Sequence, residues 1–360
     1  MPGYWVWDTW PVLTRDNVPA RINGHYMLVS LTAPDSVLPG KRHDIARYRY
    51  MISQNGSDWQ DMGYLFNEGE ALGSRQWAGS TIYDAASQRL TVFYTASGTR
   101  GESSLSYTQR IAQTSARLAN APATVRFDSW ERHRIVLSPD LRWYAQSTGV
   151  DAAGIVFTFR DPSYFRDPAT GLSYLTFTGR IHDSPDQTYN GNIGIAVATD
   201  ESLSNWRLLK PIIASPGVNS ELERPIVITR NDRYYLIIST HTFTFAPPLT
   251  GPEGMYGWTS ESLFGPWEPM NGSALMLHNP ESAPDQTYSY QLLQDLSVLS
   301  FINFIGAGDA CGSSYTDCGG DEEAAERAKR FGGTLAPSVL MTINGTQATV
   351  TGVRANPIAP

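Results

Sequence analysis

The feature that most restricts this chain is a cluster of polar and aromatic residues that returns five times at one phase of a repeat. The clusters read "VWDTWP" (6–11), "SRQWAGS" (74–80), "FRDPSYF" (159–165), "ELERPIV" (221–227) and "QTYSYQL" (286–292). Each opens a short apolar run. A turn or break follows, and then a second run rich in aromatic and β-branched residues: "HYMLVSLT" (25–32), "LTVFYTAS" (90–97), "LSYLTFTG" (172–179), "RYYLIIST" (233–240) and "LSVLSFINF" (296–304). Several units add a lone Trp at the start of an outer strand: Trp59, Trp130, Trp206 and Trp267. The leading residues Asp8, Trp77, Arg160, Glu223 and Tyr288 stand 63 to 83 residues apart. Helical periodicity is scarce, and alternating runs between turn residues read as strands. Units of this length, each a set of antiparallel strands, describe a β-propeller, and five of them describe five blades. A β-sandwich with chance similarity is the competing fold, but it gives the cluster no reason to keep its phase.

The expected fold is all-β: one five-bladed propeller domain over residues 1–360 with a central, funnel-shaped pocket. The Asn344-Gly345 turn marks a hairpin completing the last blade, and the Gly/Asp/Ala/Glu-rich segment 306–329 reads as an inserted loop. The innermost strand of each blade lines the central channel. A cluster that begins that strand sits at one mouth, so residues spread over most of the chain converge on one pocket.

Three clusters bring acids there: Asp8, Asp161, and the pair Glu221 and Glu223. Glycoside cleavage uses two carboxyl groups, one ionised as nucleophile or base and one protonated to serve the leaving oxygen. A third can favour an oxocarbenium-like state. Each acid has a plainer reading. Asp8 can be a turn residue, although its Trp neighbours argue against an exposed turn. Asp161 can pair with Arg160, although strand neighbours point to opposite faces. Glu221 and Glu223 share a strand face with Arg224 facing away, and their mutual repulsion raises the pKa of one, as a general acid requires. The second "FRDP" runs into "ATGL", so Asp167 is expected to serve a hairpin. Single motifs favour structural roles; five at one phase favour a site.

Composition narrows the partners. Aromatic residues make up 11% of the chain, with 10 Trp and 18 Tyr, which suits both strands and the C–H faces of sugars. Acidic residues number 35 against 27 basic ones, a net charge of −8 that argues against nucleic acid and anionic membranes. No apolar run approaches the ~20 residues of a membrane span, and no signal peptide is visible. Cys311 and Cys318, in "CGSSYTDC", form either a small disulfide ring or two free thiols, and neither has metal-site spacing. No metal site is expected.

Taken in order, "VWDTWP", "LGSRQWAGS", "FRDP", "ELERP", "QTYSY" and "GGTLAP" resemble the levansucrase family, which includes inulosucrases and some β-fructofuranosidases. The combination is specific and spans nearly the whole chain. The resemblance independently implies a five-bladed propeller with a deep pocket. It implies a retaining enzyme that cleaves sucrose and passes fructose to a sugar acceptor or water. Asp8 matches the nucleophile, Asp161 the transition-state stabiliser and Glu223 the general acid/base. Trp7 and Trp77 match the aromatic walls of the fructose subsite. Arg160, Glu221 and His241 match residues on the glucosyl side, and Tyr288 one that positions the acid/base. Ala78 and Thr178 depart from the family's Ser and Glu at those places, which bears on transfer against hydrolysis. No cofactor is implied; some relatives bind calcium, but no acidic loop here matches. The family acts mainly outside the cell, and N-x-S/T tripeptides occur at Asn55, Asn271 and Asn344. A sucrose hydrolase on the same scaffold and a non-catalytic sugar-binding propeller are the alternatives.

Overall fold

The protein is described by a computed structural model covering residues 1–149, 156–305, 326 and 328–358. Cys311, Cys318 and most of segment 306–329 lie outside the described residues. Strands fill the chain in five successive groups. The first blade holds β1 (Tyr4–Leu13), β2 (Tyr26–Pro34), β3 (Arg47–Ser53) and β4 (Gln60–Tyr64). The second holds β5 (Arg75–Asp84), β6 (Arg89–Ser97), β7 (Gln109–Leu118), β8 (Phe127–Asp128) and β9 (Arg134–Leu137). The third holds β10 (Arg160–Arg166), β11 (Ser173–Arg180), β12 (Gly191–Ala198), β13 (Trp206–Leu208) and β14 (Ile213–Ala214). The fourth holds β15 (Glu223–Arg230), β16 (Arg233–Thr240), β17 (Gly254–Ser260), β18 (Glu268–Pro269) and β19 (Leu275–His278). The fifth holds β20 (Thr287–Leu292), β21 (Ser297–Phe304), β22 (Phe331–Leu335), β23 (Ser338–Asn344) and β24 (Gln347–Arg354). This is the five-bladed propeller expected from the repeat.

Within each blade the strands pair antiparallel, from the innermost outwards. One departure links two blades: β1 and β5 run parallel and pair at Val12↔Thr81 and Leu13↔Ile82, fusing the first two blades into one sheet. The outer Trp marks hold for Trp59, just before β4, Trp206, which opens β13, and Trp267, just before β18; Trp130 instead lies between β8 and β9. The last hairpin turns at Asn344↔Gln347 with Gly345 at φ 56°, a left-handed position that suits glycine.

The core lies between blades. Phe93 of β6 stacks on Tyr164 of β10, with ring centroids 6.2 Å apart. Phe165 and Ile193 of the third blade pack with Val227 and Leu236 of the fourth. Strands such as β6 are covered on both faces, which is why they read as near-continuous apolar runs. Antiparallel order has a further consequence. The innermost strand runs away from the mouth and the second strand returns to it. Connections between second and third strands therefore lie beside the cluster residues.

Candidate active site

All five cluster-bearing strands share a backbone irregularity. The register between innermost and second strand shifts at Val6/Thr9, Trp77/Gly79, Arg160/Ser163, Glu223/Ile226 and Tyr288/Gln291. A β-bulge re-aims side chains that strict alternation would send to opposite faces. Three of the bulges carry a left-handed residue: Asp161 (φ 59°), Arg224 (φ 49°) and Ser289 (φ 62°). Such conformations are costly for residues with a Cβ and persist where surroundings enforce them. At Asp161 the alternation expected from the sequence fails for this reason. Arg160 and Asp161 turn toward each other, with Nε 3.6 Å from Oδ2.

Arg160 is the charge centre of the site. Its Nη2 lies 2.7 Å from Glu223 Oε1 and 3.2 Å from Glu221 Oε1, so both glutamates face it as their spacing suggested. Asp161 Oδ2 accepts from the Thr178 hydroxyl at 3.3 Å and from the Arg224 backbone N–H at 3.2 Å. Tyr288 donates a short hydrogen bond to Glu223 Oε2. The His241 ring stacks on Tyr288, with centroids 3.7 Å apart, and its Nε2 lies 3.6 Å from the same Glu223 oxygen. The Trp77 ring faces the Arg160 guanidinium at 5.9 Å. Arg224 does face away from the two glutamates' contact with Arg160. It is bound instead to Ser289, Thr9 and Gln291.

A pocket at the mouth is lined by Trp7, Asp8, Glu223 and Tyr288 among the expected residues. Arg160, Asp161, Glu221, His241 and Trp77 stand beside it through the contacts above. Sequence reasoning missed Arg42 and His43, which also line it. They belong to a 3₁₀ turn, Pro39–Ile45, in the connection from β2 to β3. The His43 carbonyl accepts from Trp77 Nε1 at 2.9 Å, and the His43 ring meets the edge of Trp7 at 5.5 Å. Their signal was positional, a basic pair in a connection that returns to the mouth. Arg224, Ser239, Ser289 and Phe301 complete the lining.

Three carboxylates around one guanidinium have divergent acidities. Burial raises Asp161 to about 7; Arg160 opposes this, while Glu223 and Asp8 add to it. Burial also raises Glu221, again against Arg160 and with Glu223. Glu223 goes the other way. Burial favours its neutral form, but Arg160, His241 and the Tyr288 hydrogen bond outweigh burial and lower its pKa. Of the two glutamates expected to repel each other, Glu221 is the one raised, by burial first and with Glu223 adding to it, while Arg160, His241 and the Tyr288 hydrogen bond keep Glu223 low. Burial, then Arg42 and Arg160, hold His43 well below its usual range, so it is neutral.

The two departures from the family pattern have local roles. Thr178 bonds Asp161 and also the Leu222 carbonyl, and Ala78 offers its carbonyl to the Thr95 hydroxyl, which in turn accepts the Asp161 N–H. Asp167 is a hairpin residue as expected, accepting from Ala169 N–H and the Thr170 hydroxyl. Among the described residues no group of three or more His, Cys, Asp or Glu is placed to hold a metal ion, and no helix is long and apolar enough to cross a membrane.

Known proteins are similar to this chain over nearly its whole length. The levansucrase from Zymomonas mobilis is 32% identical over 377 residues, covering 98% of this chain and 83% of that protein. The structure of an inulosucrase from Halalkalicoccus jeotgali bound to kestose superimposes with a TM-score of 0.89 at 38% identity, covering 100% of this chain and 90% of that one. The catalytic domain of a β-fructofuranosidase from Microbacterium saccharophilum K-1 gives a TM-score of 0.81 at 25% identity, covering 99% and 84%. The Levansucrase/Invertase family model matches residues 1–188 and 181–356. Five blades, a mouth crowded with carboxylates and a family match over almost the entire length agree: the chain belongs to the levansucrase/invertase family, glycoside hydrolase family 68.

Proposed function

We propose that this protein is a sucrose-dependent fructosyltransferase working by retaining double displacement. Asp8 attacks the anomeric carbon of the fructosyl unit while Glu223 protonates the oxygen of departing glucose. Glu223 then takes a proton from a sugar hydroxyl or from water, which breaks the covalent fructosyl-enzyme and yields a fructo-oligosaccharide, fructan or free fructose. Asp161 faces the positive charge that develops on the sugar, and that charge favours its ionised form. Trp7 and Trp77 flank the fructosyl ring; Arg160, Glu221 and His241 serve the glucosyl side. Sugar hydroxyls on that side draw Arg160 from Glu223. The main charge holding Glu223 ionised is then removed, and it carries its proton into the reaction. The observation that carries this reading is a pocket lined by both Asp8 and Glu223, with Tyr288 and Arg160 bonded to Glu223.

Incubation with concentrated sucrose, followed by sizing and linkage analysis, tests it. Glucose released in excess over fructose, with oligomeric products, is expected. Equal glucose and fructose would leave a hydrolase instead, and no cleavage would leave a sugar-binding propeller. Asp8→Asn and Glu223→Gln are each expected to lower kcat by about 10³-fold or more.

A further inference from the structure

Behind His241 lies a carboxylate that the chemistry above does not use. Glu253 immediately precedes β17, in the connection that returns from β16 to the mouth. Its Oε1 forms a short contact with His241 Nδ1, and both side chains are 2% exposed. Its other oxygen, Oε2, is buried with no hydrogen-bond partner. A buried carboxylate with so few partners is costly unless the neighbour it touches is a cation. The imidazole has little freedom to turn away. Tyr288 covers one side at 3.7 Å and 16°, and Phe243 stacks on the ring at 4.9 Å and 19°. With Nδ1 committed to Glu253, the remaining nitrogen, Nε2, faces Glu223 Oε2 at 3.6 Å.

We propose that Glu253 is a positioning residue that fixes His241 as an imidazolium aimed at Glu223 and, through it, governs the proton on the acid/base. The inference rests on the reading of Glu223 as acid/base. Other groups facing this imidazole act with Glu253 or against it. Glu223 from β15 and Glu221 just before it favour the cation, as Glu253 does, and together they outweigh burial and raise His241. His43 from the 3₁₀ turn lies within electrostatic reach and is held neutral. Tyr288 from β20 presents its ring. Arg160 from β10 meets the same Glu223 from its other oxygen, and Tyr290 lies within reach of Glu253. A carboxylate, an imidazolium and a second carboxylate thus stand in line from the protein interior to the pocket.

The sign is fixed by charge. Glu253→Gln keeps an acceptor for Nδ1 but removes the charge that favours the imidazolium. Glu223 then loses a neighbouring cation and holds its proton to higher pH. The alkaline limb of kcat/KM for sucrose is expected to move up by about one pH unit, and Glu253→Asp, which keeps the charge, is expected to follow the wild-type limb. His241→Gln should give the same upward move, and the double variant no further one. A Glu253→Gln limb coincident with wild type overturns the proposal, even if melting temperature or overall rate falls. A Glu253→Asp limb moved as far as that of Glu253→Gln overturns it too, by assigning the effect to packing. Should Glu253→Gln fail to fold, the limb of His241→Gln decides, supporting the proposal if it rises and overturning it if it stays. A Glu223→Gln enzyme with undiminished sucrose cleavage would instead sink the underlying role of Glu223, a result separable from every limb shift.

Discussion

Arg160 shows how far one side chain can set the chemistry of its neighbours. It is 8% exposed and contacts Asp161, Glu221 and Glu223. Breaking a buried ion pair from one side leaves charge without compensation, at a cost of about 3–5 kcal/mol. Arg160→Met is therefore expected to lose about that much stability in urea denaturation near pH 8. Its loss should shrink toward pH 5. The stranded carboxylates have raised pKa values in the folded protein, so the native state binds more protons than the unfolded one, and stability falls as pH rises. A loss independent of pH would contradict this. The residues of this network were legible from sequence because each sits in a cluster of fixed phase. Glu253 and the pair Arg42–His43 were not, since each lies in a connection with no repeat around it. Their address depends on how the second strand of a blade returns to the mouth.

The strands owe their function to being irregular. Five bulges at one phase turn the cluster side chains toward the mouth, and no period-two reading of the sequence anticipates them. Gly79, at the bulge of β5, meets the neighbouring strand so closely that an added Cβ would lie 2.1 Å from the Phe93 carbonyl oxygen. Gly79→Ala is expected to cost about 1–3 kcal/mol, read as a lowered Tm, with a raised KM because Trp77 shares the bulge. A second element-scale property follows from the second blade. The Tyr94 hydroxyl accepts from Leu72 N–H at 2.9 Å and shares a hydrogen bond with His133 Nδ1 at 2.8 Å. Burial pushes His133 down to about 4. Because the unfolded chain binds the proton more readily, this stabilisation is complete above roughly pH 6.5 and is lost as pH falls toward 4. His133→Gln is expected to lessen the fall in stability across that window by on the order of 2 kcal/mol; an unchanged slope in thermal melts would refute the assignment.

At the scale of the whole molecule, ring closure and catalysis share residues. The first strand is tied down by Trp5, whose indole donates to the Val37 carbonyl at 2.9 Å and whose ring meets Phe331 of the last blade at 5.1 Å. Trp10 donates to Thr81 of the second blade at 3.0 Å. Arg224 of the fourth blade binds the Thr9 carbonyl of the first and both Ser289 and Gln291 of the fifth. Arg224→Met is expected to destabilise the protein by about 3 kcal/mol or more, since it strands several buried acceptors at once. A midpoint shift in urea with an unchanged slope would identify lost stability rather than a change of fold. The sequence by itself determined the number of blades, the strands that face the channel and the three acids that head them. Those follow from periodicity and turn chemistry, which are local along the chain. Only the tertiary structure decided which carboxylate Arg160 holds ionised, that Arg42 and His43 enter the pocket, and that Glu253 stands behind His241. Burial and charge pairing depend on distances between blades, and those distances exist only once the ring has closed.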